Sequence, residues 1–286
     1  MSKPKIALLL HGGTGSANKY GMNGTIDVQY GYNHAKEHIL DVNGEDNVDV
    51  FMHSWNVEHK EKLIDLYSPA EYYFEPQIMF NFKYSVGNPN ANSGKQVKML
   101  DGTYVGNESM RFHSMFSRWY SAKMSNEIRL MYQKKNNIEY DFVMLSRFDL
   151  AWNVDVDFSK IEKNKFIVNP PFARDGLCHD LFFIADSEKM NVFCQMYDYI
   201  KTIKNFDHPH IHSHKLAYNL IHHETDLHKS VSFFGEPRPW PSGLLVGPCP
   251  LVRAVYKLDV ARGATPDEHN MQRDTEESVS ERTFRW

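Results

Sequence analysis

Arg147 and Asp149 are the residues of this chain whose types and spacing are best suited to chemistry. They close the segment YDFVMLSRFDLAW at 140–152, directly after the apolar run Phe142, Val143, Met144 and Leu145. Four apolar residues are too few to finish a helix and read as a buried strand. In open α/β sheets, ligands sit outside the carboxyl ends of the strands. A carboxylate there can hold a divalent cation and a guanidinium can neutralise phosphate, a pairing that suits a nucleotide diphosphate. The plainer alternative is an ion pair that caps the strand.

Other constellations carry related potential. His11-Gly12-Gly13-Thr14-Gly15-Ser16 follows an apolar run, and its glycines let backbone approach a ligand while amides opening a helix can receive phosphate. It has neither the Gly-Lys-Ser/Thr ending of a P-loop nor G-x-G-x-x-G spacing, and a tight strand-to-helix turn is the other reading. His-Gly-Gly also suits an esterase oxyanion loop, but the chain has no G-x-S-x-G to supply a nucleophile. His53-Ser54-Trp55-Asn56 offers polar groups beside an indole, able to bind a base or sugar, or equally a core tryptophan and a helix cap. In Asp175-Gly176-Leu177-Cys178-His179-Asp180, Asp180 would enter the sheet near the edge carrying Asp149, as proton acceptor for an attacking hydroxyl or as a structural loop anchor. His208, His210, His212 and His214, followed by His222 and His223, have a ligand type suited to zinc. No cysteine or carboxylate completes a recognised spacing, so solvated or capping histidines are the alternative. Pro237-Arg238-Pro239-Trp240-Pro241 holds an arginine and an indole in a rigid segment that either closes over a phosphate or sugar or is a surface turn.

The elements needed to position these residues alternate along the chain. Strands are expected at 5–10, 48–55, 71–74, 140–146, 165–168, 181–185 and 231–234, with helices at 31–40, 58–66, 108–136, from Asp186-Ser187 to about 203, and 213–222. In the longest helix, Met110, Met115, Phe116, Trp119, Met124, Ile128 and Met131 recur at spacings near three and four, giving an apolar face. Residues 80–105 read as a long loop, and the polar run after Ala261 as an extended tail. Strands alternating with helices imply a largely parallel sheet covered on both faces.

At 286 residues, with a net charge of −4, 42% hydrophobic and 24% charged residues, the composition is that of a soluble globular protein. No long Lys/Arg run points to a dedicated nucleic-acid coat. No stretch approaches the ~20 apolar residues of a transmembrane helix. Three widely spaced cysteines, Cys178, Cys194 and Cys249, argue against a disulfide framework and for a reduced, cytoplasmic setting.

Taken together, Ser114-Met115-Phe116, Asn126, Tyr132, Tyr140-Asp141-Phe142-Val143 and Arg147-Phe148-Asp149-Leu150 resemble GT-A-type glycosyltransferases of bacterial surface-polysaccharide loci and large viruses or phages. The segments LCHDLFFIADSEKM at 177–190 and VDVFMHSWN at 48–56 add to the likeness, which spans about 5–220. The resemblance implies an α/β, Rossmann-like GT-A fold with a mostly parallel central sheet flanked by helices, as one catalytic domain over 1–260 with a polar tail at 261–286. It implies transfer of a sugar from a nucleotide-sugar donor to a hydroxyl acceptor. His11, Gly12, Gly13, Thr14, His53, Trp55, Asn56, Arg147 and Asp149 would hold the donor, Asp180, Asp149 and Arg147 would act in catalysis, and His179, Arg238 and Trp240 would meet the acceptor. The diphosphate would be met with or without a divalent Mn or Mg ion, which, where used, would sit on Asp149, with His212 or His214 as further candidates. Arg147 stands where the first Asp of Asp-x-Asp would be, so a guanidinium takes over part of the cation's charge neutralisation. A surface glycan is the expected acceptor. A modified base in viral DNA is the minor alternative, with Lys83, Lys95 and Lys98 as a phosphate rim. A histidine-centred metal-dependent hydrolase or phosphoesterase and a non-catalytic nucleotide-sugar binding module are the rival functions.

Overall fold

Short apolar runs with polar carboxyl ends assemble into one seven-stranded sheet. The structure, a computed structural model, describes residues 3–15, 26–80, 96–98, 104–172, 178–203 and 213–234, with backbone alone at 96–98, 104–112 and 170–172. Strands β1 (Ile6–Gly12), β2 (Val48–Ser54) and β3 (Glu71–Phe74) are followed by β4 (Gln96–Lys98) and β5 (Tyr104–Gly106), then β6 (Phe142–Arg147), β7 (Phe166–Phe172), β8 (Cys178–Ala185) and β9 (Val231–Phe233). The sheet order is β3-β2-β1-β6-β8-β7-β9, and β8 is antiparallel to both of its neighbours while the other pairings are parallel. The fold class is therefore α/β with a mostly parallel, mixed sheet. Strands β4 and β5 pair antiparallel outside it, so part of the segment expected to be a plain loop has ladder structure.

Both faces of the sheet are covered. The side chains of Ala7, Leu9, Phe51, Val143 and Leu145 pack under α4 (Asn107–Asn136), α5 (Ser187–Phe193), α6 (Met196–Thr202) and α7 (Ser213–Asn219). The alternate residues Ile6, Leu8, Val50, Phe142 and Met144 pack on the opposite face. There they meet α1 (Gln29–Ala35), which runs through a π turn (Lys36–Leu40) into α2 (Asp41–Asn43), and α3 (Lys60–Tyr67). This alternation follows from the period-two geometry of a strand.

Of the expected apolar face of the longest helix, Met115, Phe116, Trp119 and Ile128 are buried in the core with the sheet residues. Met131 is 63% exposed, beside an open groove of about 410 Å³ between β3 and α4 that Tyr72, Tyr73 and Met124 also line. A second buried row, Ser117, Ser121, Ser125 and Arg129, is spaced four apart, and Ser121 in it bonds to β1 and β2. Small side chains along one i, i+4 row let the helix lie close to the strands. The expected single helix from 187 to about 203 is two helices, broken at Cys194 and Gln195. Asp186 does cap the first, accepting from the Lys189 amide at 2.9 Å. Asp180 lies inside β8 rather than at its entrance, because the strand begins at Cys178. No described helix is long and apolar enough to cross a membrane.

Candidate functional site

The sheet changes direction at β1. Strands β2 and β3 extend to one side of it, whereas the next sheet strand, β6, lies on the other. A crevice forms at such a switch point, outside the carboxyl ends of the two strands. His11 pairs in register with Arg147 there, and each stands two residues after a side chain that packs under α4, Leu9 and Leu145. Because β8 runs the other way, its first residues reach the same edge, with Phe182 opposite Ser146. The β7–β8 ladder is irregular at this point: Asn169 faces His179 and Val168 faces Phe183, so residues 180–182 have no counterpart on β7. Such bulges re-aim side chains, and Asp180 turns towards α4, where it meets Arg118.

Two guanidinium–carboxylate pairs result. Arg147 makes a bidentate fork with Asp149, Nε to Oδ1 at 2.6 Å and Nη2 to Oδ2 at 2.5 Å. Arg118 Nη1 lies 3.0 Å from Asp180 Oδ2, with both side chains largely buried. His214 Nδ1 sits 3.2 Å from Asp180 Oδ1 and 3.1 Å from the Cys178 carbonyl oxygen. Burial alone would raise the Asp180 pKa, but Arg118 foremost, then His214, Arg147 and His179, hold the carboxyl well below its usual range. Asp180 is therefore firmly ionised. His179 lies beside His214, ring centres 5.2 Å apart.

The first loop is held by a buried polar chain. Gly12 and Gly15 have φ of +92° and +123°, which explains glycine at both positions. The Gly12 amide donates to Ser121 Oγ at 2.7 Å, Ser121 Oγ lies 2.7 Å from His53 Nδ1, and His53 Nε2 lies 3.0 Å from Glu75 Oε1. Burial lowers the His53 pKa despite the carboxylate. The neutral ring thus donates from Nε2 to Glu75 and accepts the Ser121 hydroxyl at Nδ1. The arrangement has the residue types of a nucleophilic triad, but Ser121 and His53 are both inaccessible to solvent, so it orders the loop. Asn56 Oδ1 accepts the Thr14 amide at 3.0 Å, and Thr14 Oγ1 lies 2.8 Å from His59 Nδ1. Gly13 is exposed on top of this support.

The expected donor residues thus divide. His11, Gly12, Gly13, Arg147 and Asp149 stand together at and just beyond the carboxyl ends of β1 and β6. His53 has both ring nitrogens engaged beneath the surface, Asn56 braces Thr14, and Trp55 is buried, stacked on Tyr120 with ring centres 5.4 Å apart. These are corrections to a direct base- or sugar-stacking role, and their cause is that α4 covers this end of β2. Residues 16–25, which follow the loop, lie outside the described residues, and the next described helix begins at Gln29. Arg238, Trp240 and His212 lie outside the described residues, as do His208, His210 and the segment after 234. Arg118, which no sequence pattern singles out, completes the site.

A divalent Mn or Mg ion needs several oxygen ligands. Both Asp149 oxygens are taken by Arg147 and both Asp180 oxygens by Arg118 and His214. Among the described residues no group of three or more His, Cys, Asp or Glu side chains can hold a metal ion. The described residues do not fit the cation that Asp149 and His214 were expected to hold, and His222 and His223 form no metal-binding group with other described residues.

Two stability predictions arise from this geometry. Ser121→Ala strips the acceptor from the Gly12 amide and the donor from His53, and is expected to cost roughly 2 kcal/mol in urea unfolding. An unchanged midpoint would show that the chain of hydrogen bonds does not hold the loop. The second concerns acid. Burial lowers the pKa of His11 and His53, and lowers that of His179 to about 4, from the ordinary 6.5. Each binds fewer protons folded than unfolded, so their contribution is complete above pH 6.5 and is lost as the pH falls towards 4. His179 alone accounts for up to ~3 kcal/mol over that window. Urea midpoints measured across it should fall steadily on acidification; a midpoint that rises below neutrality would contradict the burial of neutral histidines.

Compared with known proteins, the chain matches no protein-family model and no curated sequence.

Proposed function

We propose that the protein is a nucleotide-sugar-dependent glycosyltransferase of GT-A type, acting on a hydroxyl acceptor. The observation that carries this reading is the convergence, at the switch-point crevice, of an exposed glycine loop, the Arg147–Asp149 fork and an ionised Asp180 on the inserted antiparallel strand. The mixed sheet, with β8 placed between β6 and β7, is compatible with the fold the resemblance implies.

In this reading the donor's diphosphate lies across the carboxyl ends of β1 and β6. Arg147 leaves the Asp149 fork in exchange for phosphate oxygens, an exchange between two anions of matching geometry. The guanidinium then stabilises the charge that grows on the diphosphate as the sugar departs. Asp149, freed from the fork, accepts hydrogen bonds from the donor sugar. Asp180 orients the acceptor hydroxyl; its pairing with Arg118 makes it a weak proton acceptor, so the hydroxyl proton passes to the departing diphosphate as the new glycosidic bond forms. His179 lies on the acceptor side. A surface glycan is the preferred acceptor, and the reaction belongs in the cytoplasm, where nucleotide sugars are available.

The test is a panel of UDP-, GDP-, CMP- and dTDP-sugars, scored for thermal stabilisation and for release of nucleotide, beside Asp149→Ala. One donor that stabilises the wild type, is slowly hydrolysed, and is left intact by the variant is the expected result. Stabilisation without nucleotide release under any acceptor would identify a binding module instead. No response to any donor would overturn the reading.

A further inference from the structure

Three buried polar atoms at the crevice lack any hydrogen-bond partner among the described residues: His11 Nδ1, Arg118 Nε and Arg118 Nη2. Buried donors are rarely left in this condition, and each instance calls for an explanation. The two on Arg118 are not scattered. Nε and Nη2 form one planar edge of the guanidinium, the same edge with which Arg147 grips both oxygens of Asp149. Arg118 meanwhile spends only Nη1 on Asp180. It therefore carries a complete bidentate edge with no described acceptor, on a side chain whose position is set by a buried carboxylate and the rigid backbone of α4. Arg147, Asp149, Asp180 and His11 all lie within its electrostatic reach.

We propose that Arg118 is the second arginine of a diphosphate-binding clamp, whose Nε–Nη2 edge takes two oxygens of one phosphoryl group while Arg147 takes the other phosphoryl group, so that the diphosphate binds without a divalent cation. The inference rests on the transferase reading and names how that site meets its donor. Two guanidiniums balance Asp149 and Asp180 in the resting site, and a diphosphate draws both towards itself without stripping Asp180 of its Nη1 partner. Planar forks match phosphate geometry in a way that an ammonium does not. The commitment of every oxygen of Asp149 and Asp180 to a cationic or imidazole partner, which leaves the described residues unsuited to Mn or Mg, follows from the same design.

The test is calorimetric titration of pyrophosphate, a nucleoside diphosphate and the corresponding nucleoside into wild type, R118K and the double variant R118Q/D180N, all in EDTA and again with Mn²⁺. R118K keeps the charge and removes the fork. The double variant removes the buried charge pair together, so neither partner is left alone, and it replaces R118K if that variant melts early. Pyrophosphate and the nucleoside diphosphate should bind the wild type in EDTA. Both should weaken about 10- to 100-fold in the variants, the range for losing a charge-assisted bidentate contact, with the nucleoside unaffected. Variant affinities within threefold of wild type, or binding that needs Mn²⁺, would overturn the inference and leave the transferase reading standing. Clamp-dependent pyrophosphate binding without turnover of any nucleotide sugar would support the clamp and overturn the transferase reading. No binding of either phosphate compound under any condition would overturn both.

Discussion

Replacing Arg147 by methionine is expected to lower the rate of nucleoside diphosphate release by about 10²–10³-fold, the usual effect of deleting one preorganised group that stabilises developing charge. The size follows from position. Arg147 ends β6 in register with His11, where the proposed transfer would build charge on the leaving group, and its side chain is about three-quarters buried. Water replaces it poorly there. Methionine keeps most of the stem but leaves Asp149, itself nearly buried, without its fork. Loss of stability is therefore to be separated from loss of chemistry. In R147M/D149N the carboxylate charge is removed as well, and this variant is expected to regain the wild-type melting temperature while staying as slow as R147M. R147K should fall between, because an ammonium supplies charge without the two parallel hydrogen bonds. The measurement is kcat for nucleotide release with the donor found by the panel. A kcat for R147M within threefold of wild type would reduce the pair to a cap on the strand.

Arg129→Leu is expected to destabilise the protein by about 3–5 kcal/mol, and to lower its melting temperature by about 10 °C. Arg129 is completely buried and meets no carboxylate among the described residues. Its contacts are to neutral oxygens: Nε and Nη2 to Asn126 Oδ1 at 3.1 and 2.8 Å, Nη1 to Gln133 Oε1 at 2.7 Å and to Ser187 Oγ at 3.1 Å, and Nη2 to Asn191 Oδ1. Burial lowers its pKa, the expected sign for a cation taken out of water. Two effects compete. Removing a buried charge relieves a desolvation cost of several kcal/mol, and apolar replacements of buried ion pairs are sometimes neutral. Here, however, four side chains are arranged around the guanidinium and leucine satisfies none of them. Orphaned buried oxygens at roughly 1–3 kcal/mol each outweigh the relief. A loss below about 1 kcal/mol in denaturant unfolding would show that the desolvation term wins. Donor binding should be retained, since Arg129 joins α4 to α5 well below the crevice.

The fold is legible in the sequence where one element dominates its own segment. Phe142–Leu145 reads as a buried strand and is one, with Arg147 and Asp149 at its carboxyl end as the local pattern alone indicates. The strand at 71–74 and the cap at Asp186 are legible for the same reason. Arg118 is not, because its meaning depends on Asp180, far along the chain and turned towards it by an irregular ladder that no local pattern announces. Reading α4 for its apolar residues finds the core face at Met115, Phe116, Trp119 and Ile128 but passes over a second, polar stripe. That stripe is Ser117, Ser121, Ser125 and Arg129, small or polar residues at a spacing of four that a solvent-facing reading would discard. At His53 and Trp55 the binding and core readings stand level in the sequence because chemical capability says nothing of cover, and only the path of α4 shows that this strand end is sealed.

Helix α4 also works as a ruler. Ser121 fixes the first loop and Arg118 fixes the Asp180 carboxylate, three residues apart on one rigid rod, a separation of about 4.5 Å along its axis. The two halves of the crevice are thus measured against a common standard rather than against each other through the loops. Connecting segments can change length without altering the gap between loop and carboxylate. A single residue inserted between 118 and 121 cannot be absorbed so easily, because it turns one anchor by about 100° relative to the other. In descent with modification, the helix is the part whose length cannot drift.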